Sequence, residues 1–130
     1  MYEINYQKSV SEHSEEVCAI LALPRPPDTW SVADWYWKVV GGTPFLMRNV
    51  INLQQAGLNS IFFFSEGENC EELLSKLSLD KRVKISMNWA SDTKKLARST
   101  GSRPTLVLSG GALHSKNEIR SGLKSLTSSS

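Results

Sequence analysis

Residues 38–67 read KVVGGTPFLMRNVINLQQAGLNSIFFFSEG and predict, in order, a turn, a helix, a second turn and a buried strand. The Gly-Gly pair permits a tight turn, and Thr43 can cap a helix whose first turn accommodates Pro44. Apolar residues then recur at steps of three and four, which predicts a helix that Gly57 ends. The run Ile61-Phe62-Phe63-Phe64 is short and rich in β-forming residues, so it predicts a strand buried on both faces.

The same alternation of apolar strands and amphipathic helices continues on both sides of this segment. The predicted strands cover residues 17–23, 61–64, 83–88 and 105–108, and the predicted helices cover residues 44–56, 70–79, 91–101 and 116–126. This order predicts an α/β fold, a three-layer sandwich with a mostly parallel, Rossmann-like sheet whose first strand is central. We assign residues 17–126 to one domain, residues 1–16 to an N-terminal arm or edge strand, and residues 127–130 to a disordered tail.

The composition excludes several classes of function. The 15 basic and 13 acidic residues give a net charge of +2 and are scattered, which argues against a nucleic-acid partner. No apolar run approaches the roughly 20 residues of a membrane span, and the N-terminus lacks a basic region followed by an apolar run. Cys18 and Cys70 have no neighbouring cysteine or metal-ligand motif, which favours two reduced thiols. These features predict a cytoplasmic protein with no membrane partner.

Two loops could bind a ligand, although the common nucleotide, hydrolase and zinc motifs are absent from the sequence. The Pro-rich loop after the first strand carries Arg25 and, farther on, Lys38, which could contact a phosphate at the carboxyl end of the sheet. The turn Gly110-Gly111 could let a ligand approach the backbone, and His114 follows it. The alternatives are that both cations are solvated surface charges and that the glycine pair is an ordinary turn.

Four aromatic residues lie within eight positions of the chain, at Trp30, Trp35, Tyr36 and Trp37. They could stack on a nucleobase, form a patch that binds a protein partner, or cover the edge of the sheet. Covering the sheet is the reading that the sequence favours, because tryptophan is more often packed than functional.

Three segments resemble the sugar-phosphate nucleotidyltransferases of the GT-A-like fold, which include the MobA-like enzymes. They are AILAL at residues 19–23, VVGGTPFLMRNVINLQQAGLNSIFFF at residues 39–64 and RPTLVLSGGALHSKNEIRSGL at residues 103–123. The resemblance covers residues 17–126 and corresponds to the N-terminal half of such a domain. Those enzymes join a nucleoside triphosphate to a phosphate or small acceptor. The resemblance therefore implies a nucleotide or sugar-phosphate ligand, with Mg²⁺ as cofactor if nucleotide binding is retained.

The chain departs from that family at the positions that carry its chemistry. Residues 23–27 read LPRPP where the family has a glycine-rich loop, so some of the backbone N–H groups that would cradle a triphosphate are missing. The family's loop lysine corresponds to a position near Trp35, three residues before Lys38. Its metal-binding aspartate corresponds to Gly111, which has no side chain to hold Mg²⁺.

Two functions are consistent with these observations. The first is a degenerate nucleotidyltransferase-like domain that binds a nucleotide or sugar phosphate, and whether it retains catalysis is left open. Its predicted contacts are Arg25, Lys38, Gly110, Gly111 and His114. The alternative is a non-catalytic interaction or oligomerisation module, in which the cluster from Trp30 to Trp37 binds a protein partner or a second copy of the chain.

Overall fold

The computed structural model describes residues 17–27, 29–37, 39–40 and 43–128, which form an α/β fold. The predicted arm, residues 1–16, lies outside the described residues. The elements, in chain order, are β1 (Cys18–Ala22), α1 (Val32–Tyr36), β2 (Val39–Val40), β3 (Thr43–Pro44), α2 (Phe45–Gln55), β4 (Ser60–Phe64), α3 (Glu71–Ser78), β5 (Ser86–Ala90), α4 (Thr93–Thr100), β6 (Thr105–Ser109) and α5 (Lys116–Ser128).

The main sheet has four parallel strands in the order β5-β4-β1-β6. The chain winds from β1 outward through β4 to β5, and then crosses back to place β6 on the other side of β1. This reversal makes a doubly wound, Rossmann-like sheet with its switch point between β1 and β6. The predicted three-layer α/β class and the central position of the first strand are both confirmed. The short strands β2 and β3 pair antiparallel in a separate sheet.

One face of the sheet forms most of the core. Leu21 and Phe63 on this face are fully buried, and the Phe63 ring stacks on Trp89 with 6.2 Å between ring centroids. Helices α2 and α5 contact each other over this face, and Gly122 of α5 lies against Leu106. Because side chains alternate along a strand, the neighbouring residues point to the opposite face.

The opposite face is covered unevenly. Arg103, which follows α4, lies over the Phe62 ring at 5.5 Å and bonds the Ser99 carbonyl at the end of that helix. Phe62 is therefore buried. Val107 points to the same face from β6 and is 63% exposed, so the cover ends before this edge of the sheet.

Helix α2 confirms the sequence prediction at its end but not at its start. It begins at Phe45, Pro44 occupies the N-cap position, and no side chain caps it, because Thr43 and Pro44 belong to β3 instead. The predicted cap by Thr43 is therefore wrong. Gly57 follows the helix with a φ of +105°, a conformation that glycine adopts without the strain a Cβ would add.

The strand predicted over residues 83–88 is displaced toward the C-terminus. The structure has β5 at Ser86–Ala90, and Trp89 is a buried residue inside the strand. The side-chain oxygen of Gln54 accepts hydrogen bonds from the backbone N–H groups of Lys84 and Ile85, at 2.6 and 3.0 Å. These bonds to α2 hold residues 84–85 as a loop. At the other end of the chain, α5 extends two residues beyond the predicted end at Leu126.

Candidate functional site

A cleft of about 500 Å³ opens at the carboxyl ends of β1 and β4. Residues 22–26 form one wall, and residues 64–66 with Glu68 form the other. Val32 of α1 also lines it. Open α/β sheets bind ligands outside the carboxyl ends of their strands, so the cleft lies at the ligand-binding edge of this fold class. It is beside the switch point between β1 and β6, on the other side of β1.

The wall that carries Arg25 is fixed by two hydrogen bonds on the N-terminal side of Arg25. Leu23 N–H donates to the Phe64 carbonyl at 2.8 Å, which carries the pairing of β1 with β4 one residue past the strand. The buried Tyr36 hydroxyl then donates a hydrogen bond to the carbonyl oxygen of Pro24. Burial raises the pKa of Tyr36 to about 12, so the phenol keeps its proton and stays a donor. Between these anchors and Pro26, Arg25 is exposed at the cleft.

The other wall is a tight polar loop that carries two exposed carboxylates, Glu66 and Glu68. Gly67 has a φ of +77° and its N–H donates to the Ser91 carbonyl at 2.9 Å. The indole N–H of Trp89 donates to the Glu68 carbonyl at 2.8 Å. The backbone of this loop is therefore held by Trp89 of β5 and by Ser91, directly after that strand, while both carboxylates face solvent. The cleft thus has one guanidinium on one wall and two carboxylates on the other.

The glycine pair that follows β6 lies at the switch point and contacts the chain itself. Gly110 N–H donates to the Ala22 carbonyl at 2.6 Å, and a Cβ at Gly110 would overlap the Leu23 side chain. A Cβ at Gly111 would lie 3.6 Å from the Pro24 ring. Leu23 and Pro24 therefore fill the crevice between β1 and β6. The close approach of Leu23 explains glycine at position 110, and neither glycine lines the cleft.

His114 is buried, and its two ring nitrogens and its backbone N–H all have hydrogen-bond partners. Its Nδ1 lies 2.9 Å from Glu118 Oε2, and its Nε2 lies 2.8 Å from the Ser109 carbonyl oxygen. The Asn49 amide accepts from His114 N–H at 2.9 Å and donates to the Ala112 carbonyl at 2.9 Å. The hydrogen bond from His114 lowers the pKa of the Glu118 carboxyl. In this structure, His114 joins the loop after β6 to α5 and does not face the cleft.

The aromatic cluster divides into a buried part and an exposed part. Tyr36 is 3% exposed and belongs to the core, whereas Trp30 is 46% exposed and meets the Trp35 ring edge-on at 5.5 Å. Trp37 is half-buried, with Lys76 Nζ 5.5 Å from its ring centroid. Tyr36 is therefore a packed core residue, while Trp30 offers a partly open indole.

The sequence-predicted site residues do not form one cluster. Arg25 lines the cleft, Gly110 and Gly111 lie at the filled switch point, and His114 lies behind them. Lys38 lies outside the described residues. Sequence reasoning did not identify Glu66 and Glu68 as cleft residues. The available signal was their position directly after the second buried strand, since parallel strands end at a common edge.

The two cysteines and the possible metal ligands can be assessed within the residues that the structure describes. Cys18 and Cys70 are both free, as predicted, and burial together with Glu68 and Glu72 raises the pKa of the Cys70 thiol, which disfavours the nucleophilic thiolate. Within residues 17–27, 29–37, 39–40 and 43–128, no three His, Cys, Asp or Glu side chains are grouped as metal ligands. In the same part of the chain, every helix is too short or too polar to cross a membrane.

The chain matches no protein-family model, no curated protein and no solved structure. The fold class therefore follows from the sheet order and the helix positions alone. The likeness to nucleotidyltransferases stays a resemblance in sequence, and the cleft between β1 and β4 is the candidate site on structural grounds.

Proposed function

We propose that this chain is a nucleotidyltransferase-like domain that binds a nucleotide or sugar phosphate in the cleft between β1 and β4 without transferring it. The observation that carries the proposal is the cleft itself. It lies at the carboxyl ends of two central parallel strands, and Arg25 is exposed in it. A cytoplasmic location, where such ligands are abundant, is part of the proposal.

The charges in the cleft indicate how such a ligand would lie. A guanidinium binds phosphate oxygens with charge-assisted, often bidentate, hydrogen bonds, so the phosphate faces Arg25. Carboxylates accept hydrogen bonds from sugar hydroxyls, so the ribose or hexose faces Glu66 and Glu68. The two carboxylates also repel a highly charged triphosphate unless Mg²⁺ neutralises it. A monophosphate is therefore expected to depend less on Mg²⁺ than a triphosphate does.

The absence of transfer is supported by Gly111 and by the packing at the switch point. Gly111 stands where the resemblance places a metal-binding aspartate, and it carries no ligand atom on a side chain. Leu23 and Pro24 fill the space beside Gly110 and Gly111. Phosphoryl and nucleotidyl transfer depend on metal ions and positioned donors to stabilise charge, so binding is the function that these residues favour.

The test is a thermal-shift panel of ATP, GTP, CTP, UTP and glucose 1-phosphate, each with and without Mg²⁺. A ligand at about ten times its Kd stabilises the fold by about 1.4 kcal/mol, which corresponds to a rise in Tm of roughly 4–8 °C. Arg25→Ala should abolish the shift. Arg98→Ala, at the exposed end of α4, is the matched control and should leave it intact. No shift with any ligand at millimolar concentration would refute the proposal.

A second candidate is the interaction module, and the observation in its favour is Trp30. A tryptophan that is 46% exposed, set edge-on against Trp35, is typical of the aromatic anchors of protein interfaces. In that case Trp30→Ala would abolish capture of a partner while Arg25→Ala would not. The reverse pattern, with ligand shifts lost in Arg25→Ala, favours the binding domain.

A further inference from the structure

Strand β6 is an outer strand of the sheet, and no described residue pairs with its outer edge. Cys18 N–H donates to the Pro104 carbonyl at 3.1 Å. Gly110 N–H likewise donates toward β1. Backbone groups of successive residues in a strand point alternately to its two sides, so residues 104, 106, 108 and 110 face β1. The N–H and C=O groups of Thr105 and Val107 therefore point to the open edge.

At Thr105 and Val107 this edge lacks the features that usually keep edge strands apart, whereas the Ser109 carbonyl is bonded to His114 Nε2. The strand reads TLVLS, with no charge, proline or glycine inside it, and Val107 at its centre is 63% exposed. The opposite edge of the sheet differs. Glu71 of α3 and Lys95 of α4 flank a small cavity of about 170 Å³ beside Asn88 of β5. Charged side chains of two helices therefore lie beside β5, whereas β6 contains no charged residue.

The sequence of β6 is complementary to itself when read in the antiparallel direction. With Val107 opposite its own copy, Leu106 meets Leu108 and the hydroxyl residue Thr105 lies opposite Ser109. Because the Ser109 carbonyl is already bonded to His114 Nε2, the backbone hydrogen bonds of this register are those of the Val107 pair. This register has Val107 as its centre, and the Val107 backbone groups face outward, so the two copies of Val107 exchange both of their N–H···O bonds. The same register places the nearest flanking charge, Arg103, opposite Gly111 of the other copy. No like charges meet.

We propose that β6 pairs antiparallel with β6 of a second copy about a two-fold axis at Val107, which joins the two sheets into one. Two-fold pairing of identical edges is isologous and closes after two copies. The two Val107 side chains then lie on the same face with about 5.5 Å between Cα atoms and bury the surface that each leaves exposed alone. This inference is independent of ligand binding in the cleft.

The first test is sedimentation velocity of the full chain from about 1 to 200 μM. The proposal predicts a concentration-dependent species of twice the 14.5 kDa chain mass. Val107→Lys should weaken the association at least tenfold. Asn88→Lys adds the same charge at the other edge, in the same row across the sheet, and should leave it unchanged. Circular dichroism of both variants checks that each is folded.

The register has its own test by oxidative crosslinking. Val107→Cys should form a disulfide-linked dimer, because the distance between Cα atoms at the axis falls within disulfide range. Ser109→Cys should not, since it lies about 14 Å from its own copy in this register. A chain that stays monomeric throughout, a Val107→Lys variant that dimerises as the unaltered chain does, or equal crosslinking at positions 107 and 109 would overturn the proposal.

Discussion

The hydroxyl of Tyr36 donates its hydrogen bond to the carbonyl oxygen of Pro24, twelve residues earlier in the chain. This bond ties α1 to the loop that presents Arg25, and a proline-rich loop has few N–H groups with which to fix itself. The loop conformation therefore depends on a donor from outside it. Tyr36 supports the candidate site without lining it.

Ionisation of Tyr36 should make the folded state less stable at alkaline pH. Its pKa is about 10 in the unfolded chain and is raised to about 12 by burial. The folded state holds the proton more tightly, so its contribution is complete below pH 10 and is lost as the pH rises from about 10 to about 12. Urea unfolding at pH 8 and pH 11 should show this loss, and Tyr36→Phe should show less of it. An equal alkaline loss in both chains would contradict the prediction.

Asn49 should be the more important of the two amides that hold the loop before α5. It is 1% exposed and bonds both Ala112 and His114, whereas the half-buried Asn52 makes one bond, to the His114 carbonyl at 2.8 Å. Asn49→Ala should lower the free energy of unfolding by about 2–3 kcal/mol, because it leaves the buried His114 N–H unpaired and removes the partner of the Ala112 carbonyl. Asn52→Ala is the control and should cost about 1 kcal/mol. Chemical denaturation measures both, and a larger loss for Asn52→Ala would reverse the ranking.

The glycine pair after β6 should respond unequally to a methyl group. Gly110→Ala drives a Cβ into Leu23 and toward the Ala22 carbonyl, and it should cost about 1–3 kcal/mol of stability. Gly111→Ala places its Cβ in ordinary contact with Pro24 and should be close to neutral. Adding Leu23→Ala to Gly110→Ala should recover part of the clash energy in a double-mutant cycle. Equal tolerance of alanine at both positions would show that the crevice is open.

Acid should weaken the link between His114 and α5. The hydrogen bond from His114 lowers the pKa of Glu118 below its ordinary value of 4.5. Its stabilising contribution is therefore present above about pH 4.5 and disappears as the pH falls through the lowered pKa. Glu118→Gln should flatten this part of the stability profile, measured by urea unfolding between pH 2.5 and 6. Glu72→Gln in α3 removes an exposed carboxylate elsewhere and is the control for the change in net charge.

Local sequence pattern accounts for most of the sheet. Short apolar runs predict β1, β4 and β6, and a glycine predicts the end of α2. Both signals are local properties of the sequence. The start of β5 has no such signal, because Gln54 holds Lys84 and Ile85 from thirty residues away. Alternating apolar residues predict a strand there, and the two tertiary hydrogen bonds to Gln54 prevent it.

The sequence predicts where the candidate site lies but not all of the residues that line it. A proline-rich loop after a buried strand pointed to the carboxyl edge of the sheet, and Arg25 does lie there. The glycine turn before His114 predicts a ligand contact, but the His114 side chain bonds Glu118 instead. Its partner Glu118 lies one helical turn farther on, and that spacing was a usable signal for a structural pair. Which of Trp30 and Tyr36 is buried depends on long-range packing.

The central claim is that the cleft between β1 and β4 binds a phosphorylated ligand through Arg25. Isothermal titration of the nucleotide or sugar phosphate that gives the largest thermal shift, into the unaltered chain, Arg25→Ala and Arg98→Ala, tests it most directly. We expect binding to the unaltered chain and to Arg98→Ala, and at least a tenfold weaker Kd for Arg25→Ala. Equal affinity in all three chains would place the ligand elsewhere and rule out Arg25 as its contact.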